Sequence, residues 1–299
     1  MQVSFGEVLT AMVTPMRQDG SVDYDRAAEL ARRLANSGSD GIVVAGTTGE
    51  SATLTNDEKL RLFEAVMRGV DGRAKVLAGT GTNATAESVA LSKAAAGLGV
   101  DGLMVIVPYY NKPTQEGLFR HFREIAAATT LPLMLYNVPG RTGQNLLPET
   151  VARLVQEIPT IKAIKEASGD LGQVTEIRTL CPDLLIYSGD DALTLPILAI
   201  GGHGVVSVAS HLVGERIQAM VAAYKNGQVD EAARIHGELM PFFKMLFITT
   251  NPIPVKVAVR LSGFDVGPFR LPLCEPTEAE LARIRQVMEA YGLISKSAV

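Results

Sequence analysis

Tryptophan is absent from this chain of 299 residues, which has only two cysteines and four histidines. Cys181 and Cys274 are too few to form a disulfide framework, and so little cysteine is typical of a reducing compartment. The histidines lack the paired spacing of zinc ligands, so the sequence predicts no metal site and no metal-dependent aldolase. His203 and His211 flank one apolar segment and are expected to be structural.

Neither sign of charge dominates the chain, because its formal net charge is only -4 at pH 7. Acidic and basic residues are well mixed, so there is no strong field to attract nucleic acid or an anionic membrane. The first eight residues also lack the basic and then apolar pattern of a secretory signal. These absences predict a cytoplasmic protein whose partners are small molecules.

Long hydrophobic runs are rare, and only one segment needs to be considered as a membrane span. Residues 192–214 contain no Asp, Glu, Lys or Arg, and the segment is long enough to raise the question of a membrane span. A proline, a pair of glycines and two histidines interrupt it, so we reject a span. The segment is predicted to form a short buried helix, a turn and a buried strand instead.

Hydrophobic residues make up 47% of the chain, which is enough for one large core. Short apolar runs rich in β-forming residues alternate with longer stretches in which apolar residues recur every three or four positions. Eight such units favour a closed parallel barrel over an open, doubly wound sheet. The predicted strands are residues 8–14, 41–46, 75–79, 102–107, 132–136, 161–165, 184–187 and 205–209.

Helices are predicted between these strands and again at the end of the chain. After about residue 226 the pattern changes to helices only. The predicted fold class is therefore α/β, a (β/α)8 TIM barrel in residues 1–225 with a C-terminal helical appendage in residues 226–299. The main predicted helices are residues 24–37, 57–69, 86–98, 115–128, 148–156, 171–179, 229–248, 254–261 and 277–290.

Lys165 stands near the end of the sixth predicted strand, where a cation is unexpected. Lysine is rarely buried without a partner or a task, and an amine held away from water loses part of its preference for the protonated form. A neutral amine is a nucleophile for a carbonyl carbon. Chemistry in such a barrel collects at the C-terminal ends of the strands, which favours Lys165 over Lys162. Taken alone, Lys165 would also fit a surface cap.

Four other polar side chains follow strands at the same predicted mouth. The hydroxyl of Tyr136 can donate and accept the protons that carry a keto group through a carbinolamine to an imine. Thr47 and Thr48, flanked by glycines, can hold a carboxylate with hydroxyl and backbone N–H groups. Arg141 can bind a second carboxylate with two parallel hydrogen bonds. Viewed individually, these residues are more commonly a core tyrosine, a plain turn and a solvated arginine.

A glycine-rich stretch, residues 79–84, resembles the fingerprint of dinucleotide-binding sites. The acidic residue expected at the end of the next strand is missing, because Asp101 precedes that strand and Val107-Pro108 end it. No nicotinamide and no other cofactor is therefore predicted.

Five segments together resemble the dihydrodipicolinate synthase / N-acetylneuraminate lyase family, and the similarity covers essentially the whole chain. The synthase branch is the most similar. This resemblance implies a TIM barrel that forms a Schiff base with pyruvate. The segments are Gly-Thr-Thr-Gly-Glu-Ser at 46–51, Pro-Tyr-Tyr at 108–110, Tyr-Asn-Val-Pro-Gly-Arg at 136–141, Ile-Lys-Glu at 164–166 and Asn-Pro-Ile-Pro-Val-Lys at 251–256.

The resemblance also implies residue roles. Lys165 would form the imine, and Tyr136 would shuttle protons in a relay with Thr47 and Tyr110. Tyr110 is expected to reach in from a neighbouring subunit, within a homotetramer built as a dimer of dimers. The remaining expected contacts are with substrate, in which Thr48 holds the pyruvate carboxylate and Gly189 and Val206 line the pocket.

Arg141 separates the branches of the family. Synthases place an arginine here for the carboxylate of L-aspartate 4-semialdehyde, so condensation of this aldehyde with pyruvate, in lysine and diaminopimelate biosynthesis, is the expected reaction. The alternatives are another aldolase, lyase or keto-acid dehydratase of the family, or a catalytically silent ligand-binding barrel. A silent barrel would be expected to lose Lys165, Tyr136 or Thr47, and all three are present.

Regulation is where the chain departs from the family. In feedback-inhibited synthases lysine binds at a dimer interface, and where sensitive bacterial members often carry histidines this chain has Asn56 and Lys59. A like charge beside a cationic effector predicts weak or absent lysine inhibition. The other residues that resemble the lysine site are Ser51, Ala52, Asn83, Glu87 and Tyr109.

Overall fold

The computed structural model describes residues 4–295. Eight parallel strands follow one another around a closed barrel, in the order in which they occur along the chain. The first strand pairs with both the second and the eighth, which closes the cylinder. The predicted (β/α)8 barrel is confirmed. The strands are β1 (Val8–Ala11), β2 (Gly41–Val44), β3 (Lys75–Gly79), β4 (Gly102–Ile106), β5 (Leu133–Asn137), β6 (Ile161–Glu166), β7 (Leu185–Ser188) and β8 (Gly204–Ser207).

Helices surround the barrel and continue beyond its last strand. Short 3-10 turns at Ser51–Thr53 and Asp191–Leu193 supplement them. The helices are α1 (Tyr24–Ala35), α2 (Asn56–Val70), α3 (Thr85–Leu98), α4 (Gln115–Ala127), α5 (Pro139–Thr142), α6 (Pro148–Glu157), α7 (Leu171–Leu180), α8 (Thr194–Ala199), α9 (Ser210–Lys225), α10 (Val229–Met245), α11 (Ile253–Leu261) and α12 (Glu278–Ala290). The last three form the predicted C-terminal appendage, whereas the domain division at residue 226 stays a prediction.

Local sequence signals explain where several helices begin. The Asp23 side chain accepts a hydrogen bond from the first turn of α1, and Thr55 forms a reciprocal capping box with Glu58 at the start of α2. Pro148 occupies the first turn of α6, where its missing N–H is not needed. Such caps satisfy backbone donors that the helix itself leaves free.

Two apolar layers hold the barrel together. Side chains alternate along each strand, so that Leu9, Val43 and Leu77 fill the interior, while their neighbours pack outward beneath the helices. Strands buried on both faces explain the continuous apolar runs in the sequence. The interior is a packed core, and chemistry is therefore confined to its ends.

β1, β2, β4 and β8 end before their predicted last residues, β2 at Val44 and β4 at Ile106. At the ends of β1 and β8, other groups take over the backbone N–H donors. The predicted extension of β1 through Thr14 is wrong: beyond Ala11, Val13 N–H donates to His211 Nε2 at 3.1 Å. β8 likewise stops at Ser207, since the N–H groups of the next two residues each donate to Asp191 at 3.0 Å.

The histidines near β8 have structural contacts. Besides accepting from Val13, His211 donates from Nδ1 to the carbonyl of Val208 at 2.8 Å. Burial lowers the pKa of His211 to about 4, so its ring is neutral. His203 packs edge-on against Tyr187. The uncharged segment that contains them forms α8 and β8, and none of the helices within residues 4–295 is long and apolar enough to cross a membrane.

Candidate active site

Lys165 projects into the barrel near the C-terminal end of β6. It pairs in register with Tyr136 on β5 and with Tyr187 on β7, and the residue is only 6% exposed. Lys162 is skipped where the pairing of β5 with β6 shifts, and it is exposed. The two lysines of one strand therefore occupy opposite environments.

The aromatic ring of Tyr136 lies against the Lys165 amine. Lys165 Nζ is 4.1 Å from the ring centroid, and Tyr136 is itself buried. Gly189, just beyond β7, leaves room for the lysine chain, because a Cβ there would lie 3.1 Å from Lys165 Cε and 2.5 Å from Ala167 Cβ. A side chain at position 189 would therefore displace either the lysine or its strand.

A cavity of about 290 Å³ opens at this end of the barrel. Tyr136, Thr47 and Arg141 are among its lining residues. Lys165, Thr48, Gly189 and Val206 are not among the lining residues, but Lys165 adjoins the lining through the Tyr136 ring. Val206 belongs to the apolar layer inside the barrel, together with Tyr136. The structure thus brings strand ends, loops and part of the C-terminal appendage together around one space.

The two threonines occupy a tight turn after β2. Ala45 and Glu50 on either side have left-handed backbone conformations, with φ of 53° and 56°, and the N–H groups of Gly49 and Ser51 both donate to the Gly46 carbonyl. Such conformations are costly for residues other than glycine, so surrounding contacts must hold them.

Asn251 fixes the second threonine, and sequence reasoning missed this role. Its Nδ2 donates to Thr48 Oγ1 at 3.0 Å, which leaves the Thr48 hydroxyl proton free to donate to a ligand. Arg141, which lies in the short helix α5 and not in a loop, donates to the Asn251 carbonyl at 3.3 Å. Asn251 thereby joins the two predicted carboxylate-binding groups. The only sequence signal was its place in a family motif.

Tyr110 lies outside the cavity of its own chain. Its side chain is 87% exposed, and its backbone has φ of 75°, which is uncommon for a bulky residue. Its backbone N–H donates to the Thr142 carbonyl at 3.3 Å. Within one chain, therefore, Tyr110 does not join the other predicted catalytic residues.

The predicted lysine site divides into two parts. Ser51, Ala52 and Tyr109 line the same cavity as Tyr136. Of the other residues, Asn56 and Lys59 lie on α2, Glu87 lies on α3 and Asn83 lies in the loop before α3. Asn56 Nδ2 donates a hydrogen bond to Glu87 at 3.3 Å. The predicted active site and the predicted lysine site therefore both contribute residues to the lining of one cavity.

Lys59 is a buried cation within this second group. Burial lowers its pKa, and the nearby Glu87 carboxylate acts in the opposite direction. Burial, together with the same carboxylate, raises the pKa of the Tyr109 hydroxyl. Asn83, in the loop before α3, accepts a hydrogen bond from Asn111 through its carbonyl. A cationic ligand here would meet the Lys59 ammonium.

Beside Lys165, the buried carboxylate of Glu166 forms a network that sequence reasoning did not identify. It accepts hydrogen bonds from Ser168 N–H at 2.7 Å, from the Asn137 amide at 3.0 and 3.2 Å, and from Gln173 at 3.2 Å. Asn137 and Glu166 pair in register next to Tyr136 and Lys165. The network therefore ties together the strand ends that carry the two proposed reactive groups.

A closed barrel with a buried lysine beside a cavity at its C-terminal mouth defines an enzyme of the TIM-barrel class. The chain belongs to the dihydrodipicolinate synthetase family, whose profile matches residues 4–291. A relative from Heliobacterium modesticaldum named 4-hydroxy-tetrahydrodipicolinate synthase is 59% identical over 292 residues, or 97% of each chain.

Solved structures of dihydrodipicolinate synthases are similar to this chain over nearly its whole length. A dihydrodipicolinate synthase from Cyanidioschyzon merolae with lysine bound is 52% identical and has a TM-score of 0.95, covering 97% of this chain and 99% of its own. The chloride-inhibited synthase from Acinetobacter baumannii complexed with pyruvate is 37% identical and has a TM-score of 0.94, covering 97% of this chain and 100% of its own.

Proposed function

We propose that this chain condenses pyruvate with L-aspartate 4-semialdehyde through a Schiff base on Lys165. The product is 4-hydroxy-tetrahydrodipicolinate, on the route to diaminopimelate and lysine. The observation that carries the proposal is the buried Lys165 amine, 4.1 Å from the Tyr136 ring at the barrel mouth. The names of relatives that are more than half identical over nearly the whole chain support it.

The chemistry begins with the Lys165 amine. Its neutral form attacks the keto carbon of pyruvate, and Tyr136 supplies a proton to the carbonyl oxygen. Loss of water from the carbinolamine gives the imine, whose protonated nitrogen draws electrons from the methyl carbon. Removal of a methyl proton then yields an enamine, and that carbon attacks the aldehyde, whose oxygen takes up a proton and becomes the 4-hydroxyl group. The amino group of the semialdehyde then attacks the imine carbon, which closes the ring and expels the Lys165 amine. The lysine itself serves as the electron sink, so the proposal requires no cofactor or metal.

Pyruvate also needs a partner for its carboxylate. We assign this role to Thr48 and Thr47, because the Thr48 hydroxyl accepts from Asn251 and keeps its own proton available. Hydrogen bonds to a carboxylate are stronger than those between neutral groups. Gly189 leaves the lysine chain free to reach the keto carbon, and Val206 supplies apolar surface inside the barrel.

Borohydride reduction in the presence of pyruvate tests the Schiff base. The wild-type chain should gain one covalent pyruvate adduct, which peptide mass spectrometry should locate on Lys165. Lys165→Ala should remove the adduct, whereas Lys162→Ala, on the same strand but exposed, should retain it. Absence of an adduct on the wild-type chain would contradict the enzyme assignment and favour a silent ligand-binding barrel.

Arg141 is proposed to bind the carboxylate of the semialdehyde. Its guanidinium lines the cavity, and its bond to the Asn251 carbonyl uses only part of its donor capacity. Two parallel hydrogen bonds to a carboxylate would therefore remain possible.

Replacing Arg141 by alanine should weaken use of the second substrate alone. We expect the KM for L-aspartate 4-semialdehyde to rise by about 100-fold, because a charge-assisted contact is lost, while pyruvate trapping continues. Arg123→Ala, on the exposed face of α4, is the control and should leave both steps unchanged. Unaltered kinetics in Arg141→Ala would instead favour another aldolase or dehydratase of the family, which assays with sugar acids would identify.

Tyr110 is proposed to complete the proton relay in the site of a partner subunit. A large aromatic side chain that is 87% exposed and held at a φ of 75° is suited to a contact between chains. The proposed assembly is a homotetramer made of two tight dimers, in which each dimer exchanges this residue.

Subunit complementation distinguishes this arrangement from action within one chain. Lys165→Ala and Tyr110→Phe should each be nearly inactive as homomers. Mixed dimers should recover activity, because one of their two sites combines an intact Lys165 with the partner's intact Tyr110. The two variants are mixed, unfolded and reassembled, and the wild type is treated in the same way. If the wild type regains activity and the mixture regains none, Tyr110 does not act across subunits.

Lysine is proposed to inhibit this chain weakly or not at all. The related synthase from Cyanidioschyzon merolae was solved with lysine bound, so the family includes lysine-binding members. In this chain the buried Lys59 already faces Glu87, and a second ammonium beside it would be repelled.

Lysine titrations of the condensation rate check this proposal. The wild-type chain should remain active at lysine concentrations that inhibit sensitive synthases, and Lys59→His should gain sensitivity because it removes the repelling ammonium group. Lys93→His, on the exposed side of α3, should gain none. Strong inhibition of the wild type at low lysine concentration would overturn the proposal.

A further inference from the structure

A buried ion pair connects the C-terminal appendage to the turn that carries the two threonines. Lys256 Nζ on α11 lies 2.7 Å from Glu50 Oε1, and the side chains are 0% and 1% exposed. The second carboxylate oxygen accepts from Arg270 N–H at 3.1 Å. Both oxygens of Glu50 are thus held by residues more than 200 positions away.

Burying two charges this completely is expensive, and an apolar pair of similar volume would often serve stability equally well. The pair therefore calls for an explanation beyond packing. Its place supplies one, because Glu50 ends the turn after β2 and lines the cavity.

Glu50 is also directly coupled to the threonines. Its backbone is left-handed, with φ of 56° and ψ of 34°, and its N–H donates to the Thr47 carbonyl at 3.1 Å. A residue with a side chain relaxes from this conformation unless other contacts hold it. Movement at Glu50 would redirect Thr47 and Thr48 in the same turn.

The same C-terminal segment contacts the turn at a second point. Asn251, five residues before Lys256, donates to Thr48 Oγ1 at 3.0 Å. On the opposite side, Thr14 donates to the Gly49 carbonyl at 2.6 Å. The turn is therefore fixed by a residue from the segment after β1 and by a residue from the appendage.

We infer that Glu50 and Lys256 are positioning residues, whose buried pair sets the direction in which Thr47 and Thr48 meet the pyruvate carboxylate. This inference rests on the proposed function and adds two residues to it. Neither side chain touches the reacting atoms, so the pair acts through the turn. Its loss should weaken pyruvate binding more than it slows the chemical steps.

The pyruvate concentration that half-saturates borohydride trapping measures this effect. Lys256→Met should raise it by about tenfold, as expected for weakened hydrogen bonds to a charged group, with a smaller change in kcat. Glu50→Gln keeps only one acceptor oxygen and turns its NH2 group toward Lys256 or the Arg270 N–H, so it should raise this concentration by a similar factor. Glu50→Gln/Lys256→Met leaves no unpaired buried charge, so it tests the idea even if Lys256→Met fails to fold.

A more exposed ion pair, whose side chains are 19% and 20% exposed, also joins the appendage to the region after β2 and provides the control. Arg270 pairs with Glu58 at the start of α2, and Glu58→Gln removes this charge while preserving the capping box. This variant should trap pyruvate with wild-type half-saturation. The inference is overturned if the folded Glu50→Gln/Lys256→Met variant also traps pyruvate with wild-type half-saturation. It is equally overturned if Glu58→Gln raises the half-saturating pyruvate concentration as much as Lys256→Met does. Failure of the wild type to trap pyruvate would instead refute the proposed function and this inference with it.

Discussion

The position of Lys165 at the barrel mouth depends on the register between β5 and β6. That register pairs Tyr136 with Lys165 and Asn137 with Glu166. Because side chains alternate along a strand, one pair faces the barrel interior and the other faces away from it. A shift of one residue would exchange the two pairs and place the lysine beneath the helices. The pairing thus decides whether the proposed nucleophile reaches the barrel mouth.

The outward pair explains how the register is maintained. Glu166 is buried, and neutral donors from β5, from the loop after β6 and from α7 satisfy its carboxylate. Asn137 also accepts from Leu146 N–H at 3.0 Å, which fixes the chain between α5 and α6. A fully bonded buried polar network rigidifies its surroundings, since breaking one bond leaves a costly unpaired group. Ordering of the inward pair therefore relies on the outward pair.

The sequence was sufficient for the alternation of strands and helices, because hydrophobic period and caps are local properties. It also placed Lys165 at a strand end and separated it from Lys162. The ends of β1 and β8 were predicted less well, because distant side chains, His211 and Asp191, capture the backbone donors there. A local pattern carries no information about such partners. The short helix at Arg141 escaped prediction for a related reason, as four residues are too few to establish a period.

The candidate site shows the same limit more sharply. Residue type and strand position indicated Thr48 and Arg141, yet the group that joins them, Asn251, lies 203 positions from Thr48. Glu50 and Lys256 are likewise 206 positions apart. Side chains that meet substrate follow from the chemistry of the reaction, which restricts them to a few residue types. Side chains that orient them can come from any part of the chain, and only the folded backbone brings them together. The C-terminal appendage is therefore part of the site, although it follows the eighth strand and completes no part of the barrel.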